Sequence, residues 1–223
     1  MAITTAQLAG HYPLVYHMAE RDALPQLLRH GLLSTTAILD LFGIQGEARR
    51  ELELCVRKQS VILEHPVHGR VVLRDQKPLS ATKLAGCLQD GLSTEDWLRL
   101  LNRRTYFWLG RDRVETLLDG RAYRQREHIV IAVRTDALVQ AHSDRVTLAA
   151  MNTGSTSPFA HKRGLCTMLP MSTFPYEDRR NRGLRPATEL CVDYCVPDLR
   201  ALIDTVYIGS AENGLVARND LVK

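Results

Sequence analysis

The chain has 223 residues, 45% of them apolar and 24% charged, with a net charge of +4 at neutral pH. This is ordinary globular usage, enough to bury a sizeable core in one domain. It excludes a collagenous, low-complexity or disordered chain. The longest apolar runs fall short of the 18 or more residues of a membrane helix, and "MAITTAQLAG" lacks the basic and apolar regions of a signal peptide, so a cytoplasmic protein with no membrane partner is expected. Five scattered cysteines, Cys55, Cys87, Cys166, Cys191 and Cys195, fit reduced thiols better than a disulfide framework. No CxxC pair is present, and no metal site is expected.

In chain order, "YPLVYHM" (12–18) reads as a strand ending on His17, and Asp22 to His30 as a helix stopped by Gly31. Ser34 or Thr35 caps a short helix, "TAILDLFG". "QGEARRELELCVRKQ" is helical, and "VILEH" and "RVVLRDQ" form a hairpin around "PVHG". The helices "LSATKLAGCLQDG" and "STEDWLRLLNRR" follow, the second opened by a Ser93–Asp96 capping box. "TYFWLG" is an aromatic strand and "RDRVETLLDG" a helix. "HIVIAVRT" (128–135) is so uniformly apolar that both its faces are expected to be buried. "DALVQAH" is a helical turn and "RVTLAAMN" a strand. Residues 152–186 show no periodicity and are read as a long loop. The strand "ATELCVDYCV", the turn "PDLRAL" and a last strand, "TVYIGS", close the chain. Strands and helices mix without βαβ alternation, which makes the fold α+β, a single domain over 1–223.

The polar residues set into this framework are the candidates for chemistry. The GxGxxG, GxxxxGK[ST], HExxH and GxSxG patterns are missing, so the common nucleotide folds and hydrolase elbows are not signalled. "NTGST" (152–156) offers accessible backbone N–H groups suited to phosphate. Alternation along "ATELCVDYCV" sends Leu190 and Val192 one way and Glu189, Cys191 and Asp193 the other. A carboxylate inside such a strand is costly to bury unless it is paired or borders a cleft. Arginine clusters near Arg57 and at 101–113, 121–126 and 177–185 suit phosphates, although solvated surface is the simpler explanation of any one of them.

Taken in order, strand-His, helix, Gly-Leu-Leu-Ser, aromatic strand and late strand-Glu resemble the ADP-ribosyltransferase superfamily, its DarT-like branch in particular. "VYHMAERDALPQLLRHGLLST" is similar to that family's opening pattern and "ATELCVDYCVPDLRALIDTVYI" to its closing one, with "TYFWLGRDR" in the place of the central aromatic strand. The chain departs at Ala19, where the family carries Thr, and "NRRTYFW" only approximates the central motif. The resemblance implies a split, twisted, mixed or antiparallel sheet with flanking helices around an NAD cleft. It implies NAD as co-substrate without metal, DNA or RNA as acceptor, and an antitoxin protein as partner. His17 would bind the ribose of the nicotinamide half, and Tyr106 or Phe107 would stack on nicotinamide. Glu189 would bind the ribose 2′-hydroxyl and steady the developing positive charge. Arg74 would contact the pyrophosphate or substrate, and Asn152 and Ser155 would lie near the dinucleotide. A non-catalytic nucleotide or nucleic-acid binding module on the same fold, and NAD hydrolysis with water as acceptor, are the alternatives.

Overall fold

The computed structural model describes residues 2–222 and is a mixed α+β structure, an antiparallel sheet with flanking helices. Its strands are β1 Leu14–Glu20, β2 Leu32–Leu33, β3 Val61–His65, β4 Gly69–Leu73, β5 Arg104–Trp108, β6 His128–Arg134, β7 Val146–Ala149, β8 Met168–Pro170, β9 Glu189–Asp193, β10 Cys195–Val196, β11 Ile203–Ser210 and β12 Gly214–Ala217. Eight of them form one sheet in the order β12-β11-β6-β1-β5-β9-β7-β8, with antiparallel pairing throughout. The hairpin β3–β4 and the short pair β2–β10 stand apart from it.

β6 is buried on both faces, as its unbroken apolar run requires. One face of the sheet carries Val15, Phe107, Ile129, Ile131, Leu190 and Val192 in the largest apolar cluster. Helices Thr5–His11, Leu24–His30 and Thr135–Ala141 bring Leu8, Leu27 and Leu138 to that face. The other face divides. Cys191 packs with Trp97 and Leu98 of helix Thr94–Asn102, while Tyr16, Met18 and Val130 pack with Val114 and Leu118 of helix Arg111–Leu118.

At the centre, β1 and β5 share a single residue pair, Tyr16 with Trp108, whereas β1 pairs with β6 along its whole length. The sheet therefore opens between β1 and β5. The chain turns sharply before β2 at Gly31, whose φ of 76° suits glycine. A Cβ there would meet the Val196 carbonyl at 2.3 Å, so the absent side chain lets the chain pass against β10.

Several expectations are corrected. The 152–186 segment is not structureless: it carries β8 and the helix Tyr176–Asn181, and it sends Phe174 and Tyr176 into the core. A helix at Thr5–His11, closed by a Thr4–Gln7 capping box, precedes β1. β12 follows the strand expected to be last, "PDLRAL" contains the short helix Leu199–Leu202, and the helix expected over 45–59 is confined to Gly46–Leu54. No helix among the described residues is long and apolar enough to cross a membrane.

Candidate functional site

His17, Tyr106 and Glu189 lie on β1, β5 and β9, three neighbouring strands at the middle of the sheet. All three line one cavity of about 690 Å³, within the usual range for small-molecule sites. Its walls draw Tyr106 and Leu101 from one apolar cluster, and Met18, Trp108, Leu117 and Tyr123 from another. The β3–β4 hairpin closes one side with Ile62, Val71 and Leu73.

His17 sits where β1 parts from β5. Its Nδ1 lies 2.8 Å from the Tyr106 carbonyl oxygen. A carbonyl can only accept, so Nδ1 carries the proton and Nε2 is left as an acceptor. Burial pulls the imidazole down to about 4, against the backbone hydrogen bond and helped by the charge of Arg74. The ring is therefore neutral at physiological pH. It also meets the Phe107 ring edge-on at 5.9 Å.

Glu189 is 3% exposed. Its Oε2 accepts the Thr153 backbone N–H at 3.1 Å and the Thr153 hydroxyl at 2.7 Å. No hydrogen bond within the described residues reaches Oε1. Burial lifts the carboxyl to about 7, although the Thr153 bonds and the charge of Arg163 oppose the rise. One oxygen is fixed, the other is free, and the proton is held near neutrality. That combination suits a group that binds a hydroxyl and exchanges its proton.

Tyr106 faces the cavity with its hydroxyl donated to the Leu101 carbonyl at 2.9 Å. Burial, with Cys191 and Glu189 nearby, pushes that hydroxyl well above its usual range, so it remains a neutral donor. Phe107, the next residue, points to the opposite face and is fully buried in the main core. Of the two aromatics, Tyr106 is the one that lines the cavity, and Phe107 is a core residue.

Arg74 lines the cavity just beyond β4. Its Nη1 donates to the Met18 carbonyl at 2.7 Å, and its guanidinium lies 4.8 Å above the Tyr123 ring centre. Asn152 also borders the cavity, its side-chain oxygen accepting the Gly154 N–H at 3.1 Å. Ser155 is outside the wall. Its hydroxyl donates to the Ser157 carbonyl at 2.9 Å and accepts the Ser157 N–H at 3.1 Å, so it stabilises the turn instead.

Sequence reasoning missed Thr153, and it met Arg57 only as part of an arginine cluster, with no place in the site. Thr153 lies inside the "NTGST" stretch, but nothing in the stretch says which hydroxyl turns inward. Arg57 borders the cavity and ties it together: Nε donates to the Arg74 carbonyl and Nη2 to Asn102, while Gln76 accepts its backbone N–H. Burial lowers it to about 10. Among the described residues, no group of three or more His, Cys, Asp or Glu side chains is placed to hold a metal ion.

The chain belongs to DUF7002, a family of unknown function whose model matches residues 13–203. No curated protein matches it. Among solved structures it is similar to Thermosipho africanus DarTG in complex with ADP-ribose, at 13% identity and a TM-score of 0.47. That alignment takes in 90% of this chain and 45% of the other, so the chain spans less than half the length of the protein it matches.

Proposed function

We propose that the chain is an NAD-dependent ADP-ribosyltransferase, a single domain whose sheet opens between β1 and β5 around an NAD cleft. The observation that carries the reading is the convergence of His17, Tyr106 and Glu189 on one cavity, with Oε1 of Glu189 free and Oε2 held by Thr153. These residues are the ones that the resemblance to the DarT-like branch singles out.

The residues present fit the dinucleotide. His17 offers Nε2 as an acceptor for a ribose hydroxyl, and Tyr106 supplies a ring for the nicotinamide. Arg74 keeps guanidinium donors beyond the one given to Met18, enough for a phosphate oxygen. Asn152 and Gly154 add polar groups near Glu189.

In the reaction, the bond between the ribose C1′ and the nicotinamide nitrogen breaks, and its electron pair leaves with nicotinamide. Positive charge develops on the ribose. Ionised Glu189, fixed beside it in a dry site, stabilises that charge more than it stabilises the ground state. The acceptor then bonds to C1′ and gives up its proton. A carboxyl titrating near neutrality is matched to receive it.

The arginines around the cavity make nucleic acid the first acceptor to try, and an antitoxin partner follows from the resemblance alone. The test is transfer of label from ADP-ribose-labelled NAD to single-stranded DNA, RNA or protein. Stable label on one of these supports transfer and names the acceptor. Free ADP-ribose alone replaces transfer with hydrolysis. NAD left intact in every mixture refutes the reading.

A further inference from the structure

We propose that Arg163 is a positioning residue for Glu189, holding from beneath the turn whose Thr153 grips the carboxylate. The inference rests on the role given to Glu189 above.

Arg163 is 1% exposed. Its Nη1 donates to the Thr153 carbonyl at 3.0 Å, Nη2 to the Ser155 carbonyl at 2.8 Å and Nε to the His161 carbonyl at 3.1 Å. The guanidinium also lies 5.6 Å from the centre of the Trp97 ring. Its backbone is clamped as well, its N–H donating to Cys87 and its carbonyl accepting from Gln89. The planar fork suits this job, since three separate nitrogens at fixed spacing each reach a carbonyl, whereas an ammonium presents its three donors from a single nitrogen.

Thr153 is the shared link. Its carbonyl is fixed by Arg163, while its N–H and hydroxyl fix Oε2 of Glu189. If the turn moves, both bonds to the carboxylate lengthen together.

The charge is informative too. A buried guanidinium is expensive without an anion, and none of the three groups it donates to is a carboxylate. Burial lowers the guanidinium, Cys87 beside it opposes that most, and Glu189 is the carboxylate whose charge it also feels. Three further groups face the pair: Tyr106 from β5, Cys191 on β9 and Cys87 against Arg163. Burial holds the Tyr106 and Cys191 side chains neutral across the working range.

The test follows the titration of Glu189 by ¹³C NMR on protein labelled at the glutamate carboxyl carbon. The signal is assigned by its loss in Glu189→Gln. Wild type is compared with Arg163→Met, Arg163→Lys and Thr153→Val, each checked for folding by circular dichroism. This readout needs no turnover. Arg163→Met removes the cation and the support of the turn, and its Glu189 midpoint should rise by about one pH unit, a roughly fivefold drop in ionised fraction near neutrality. Thr153→Val should also raise it. The pH profile of nicotinamide release should move with the midpoint, so that kcat lost at neutral pH returns in alkali while KM for NAD changes little.

If Arg163→Met does not fold, Arg163→Lys carries the test: it keeps the charge but not the three bonds. By loosening the turn it should raise the Glu189 midpoint, as Thr153→Val does, and lose kcat about tenfold near neutral pH. An unmoved Glu189 midpoint in folded Arg163→Met, or wild-type kcat in Arg163→Lys, overturns the proposal. A shifted midpoint in a protein that never releases nicotinamide refutes the transferase reading and leaves the coupling standing. Glu189-dependent release with unmoved midpoints does the reverse.

Discussion

Replacing Glu189 by Gln should stabilise the fold in alkali and leave it unchanged in acid. Unfolded, the carboxyl titrates near its ordinary 4.5; folded, it is held up to about 7. The folded state keeps its proton longer, so this group's contribution is fully present below 4.5 and is lost as pH rises through about 7. At roughly 1.4 kcal/mol per unit, the ionised carboxylate costs the fold up to about 3 kcal/mol. Glutamine has the same shape, and its amide oxygen can accept the same two Thr153 donors. The variant should therefore match wild type near pH 4 and exceed it by about 2–3 kcal/mol near pH 8, on the order of 5–10 °C in Tm.

His17 supplies an internal control. Its folded value of about 4 lies below the ordinary 6.5, so its contribution is present above 6.5 and is lost as pH falls through about 4. Between 4.5 and 6.5 the Glu189 and His17 slopes oppose each other, and His128, also lowered by burial, adds to the His17 side. Glu189→Gln should expose the rising slope of the buried histidines, His17 and His128. Urea unfolding of both proteins at half-unit pH steps reads this directly. A stability gap that is constant with pH would refute the reasoning, because it would mean that Glu189 titrates alike folded and unfolded.

Three other substitutions separate binding from packing. His17→Ala should weaken NAD binding about 10- to 100-fold in calorimetry, since it removes a ligand acceptor and leaves the Tyr106 carbonyl unpaired. Phe107→Ala should lower stability by about 3–5 kcal/mol in denaturant unfolding, whereas Tyr106→Ala should act mainly on NAD affinity. Gly31→Ala should destabilise by about 2 kcal/mol or more, measured as a fall in Tm, because its Cβ has no room against Val196 and the backbone is left-handed.

The parts legible in the sequence share one property: their periodicity is strong. β6 announced its burial through five successive apolar residues, Ile129 to Val133, and alternation along β9 put Glu189 and Cys191 on one face and Leu190 and Val192 on the other. Other features left no such trace. "TYFW" is aromatic at three consecutive positions, so the pattern could not say whether Tyr106 or Phe107 faced the cavity. Hydroxyl residues fill "NTGST", and only tertiary contact selects Thr153. Arg163, in "HKRG", reads as surface charge, although the fold buries it under the turn. The helix Tyr176–Asn181 spans fewer than two turns, too short for a helical period, and Phe174 and Tyr176 anchor it through core contacts instead.

The central claim is that Glu189 acts in cleaving the nicotinamide–ribose bond of NAD. The most direct measurement is nicotinamide release from NAD at about pH 8, by wild type and by Glu189→Gln, with NAD affinity measured for both. Release by wild type, its loss in Glu189→Gln and an affinity within a few-fold of wild type are the predicted results. Equal release by the two proteins, or no release from folded wild type with any acceptor, would contradict it.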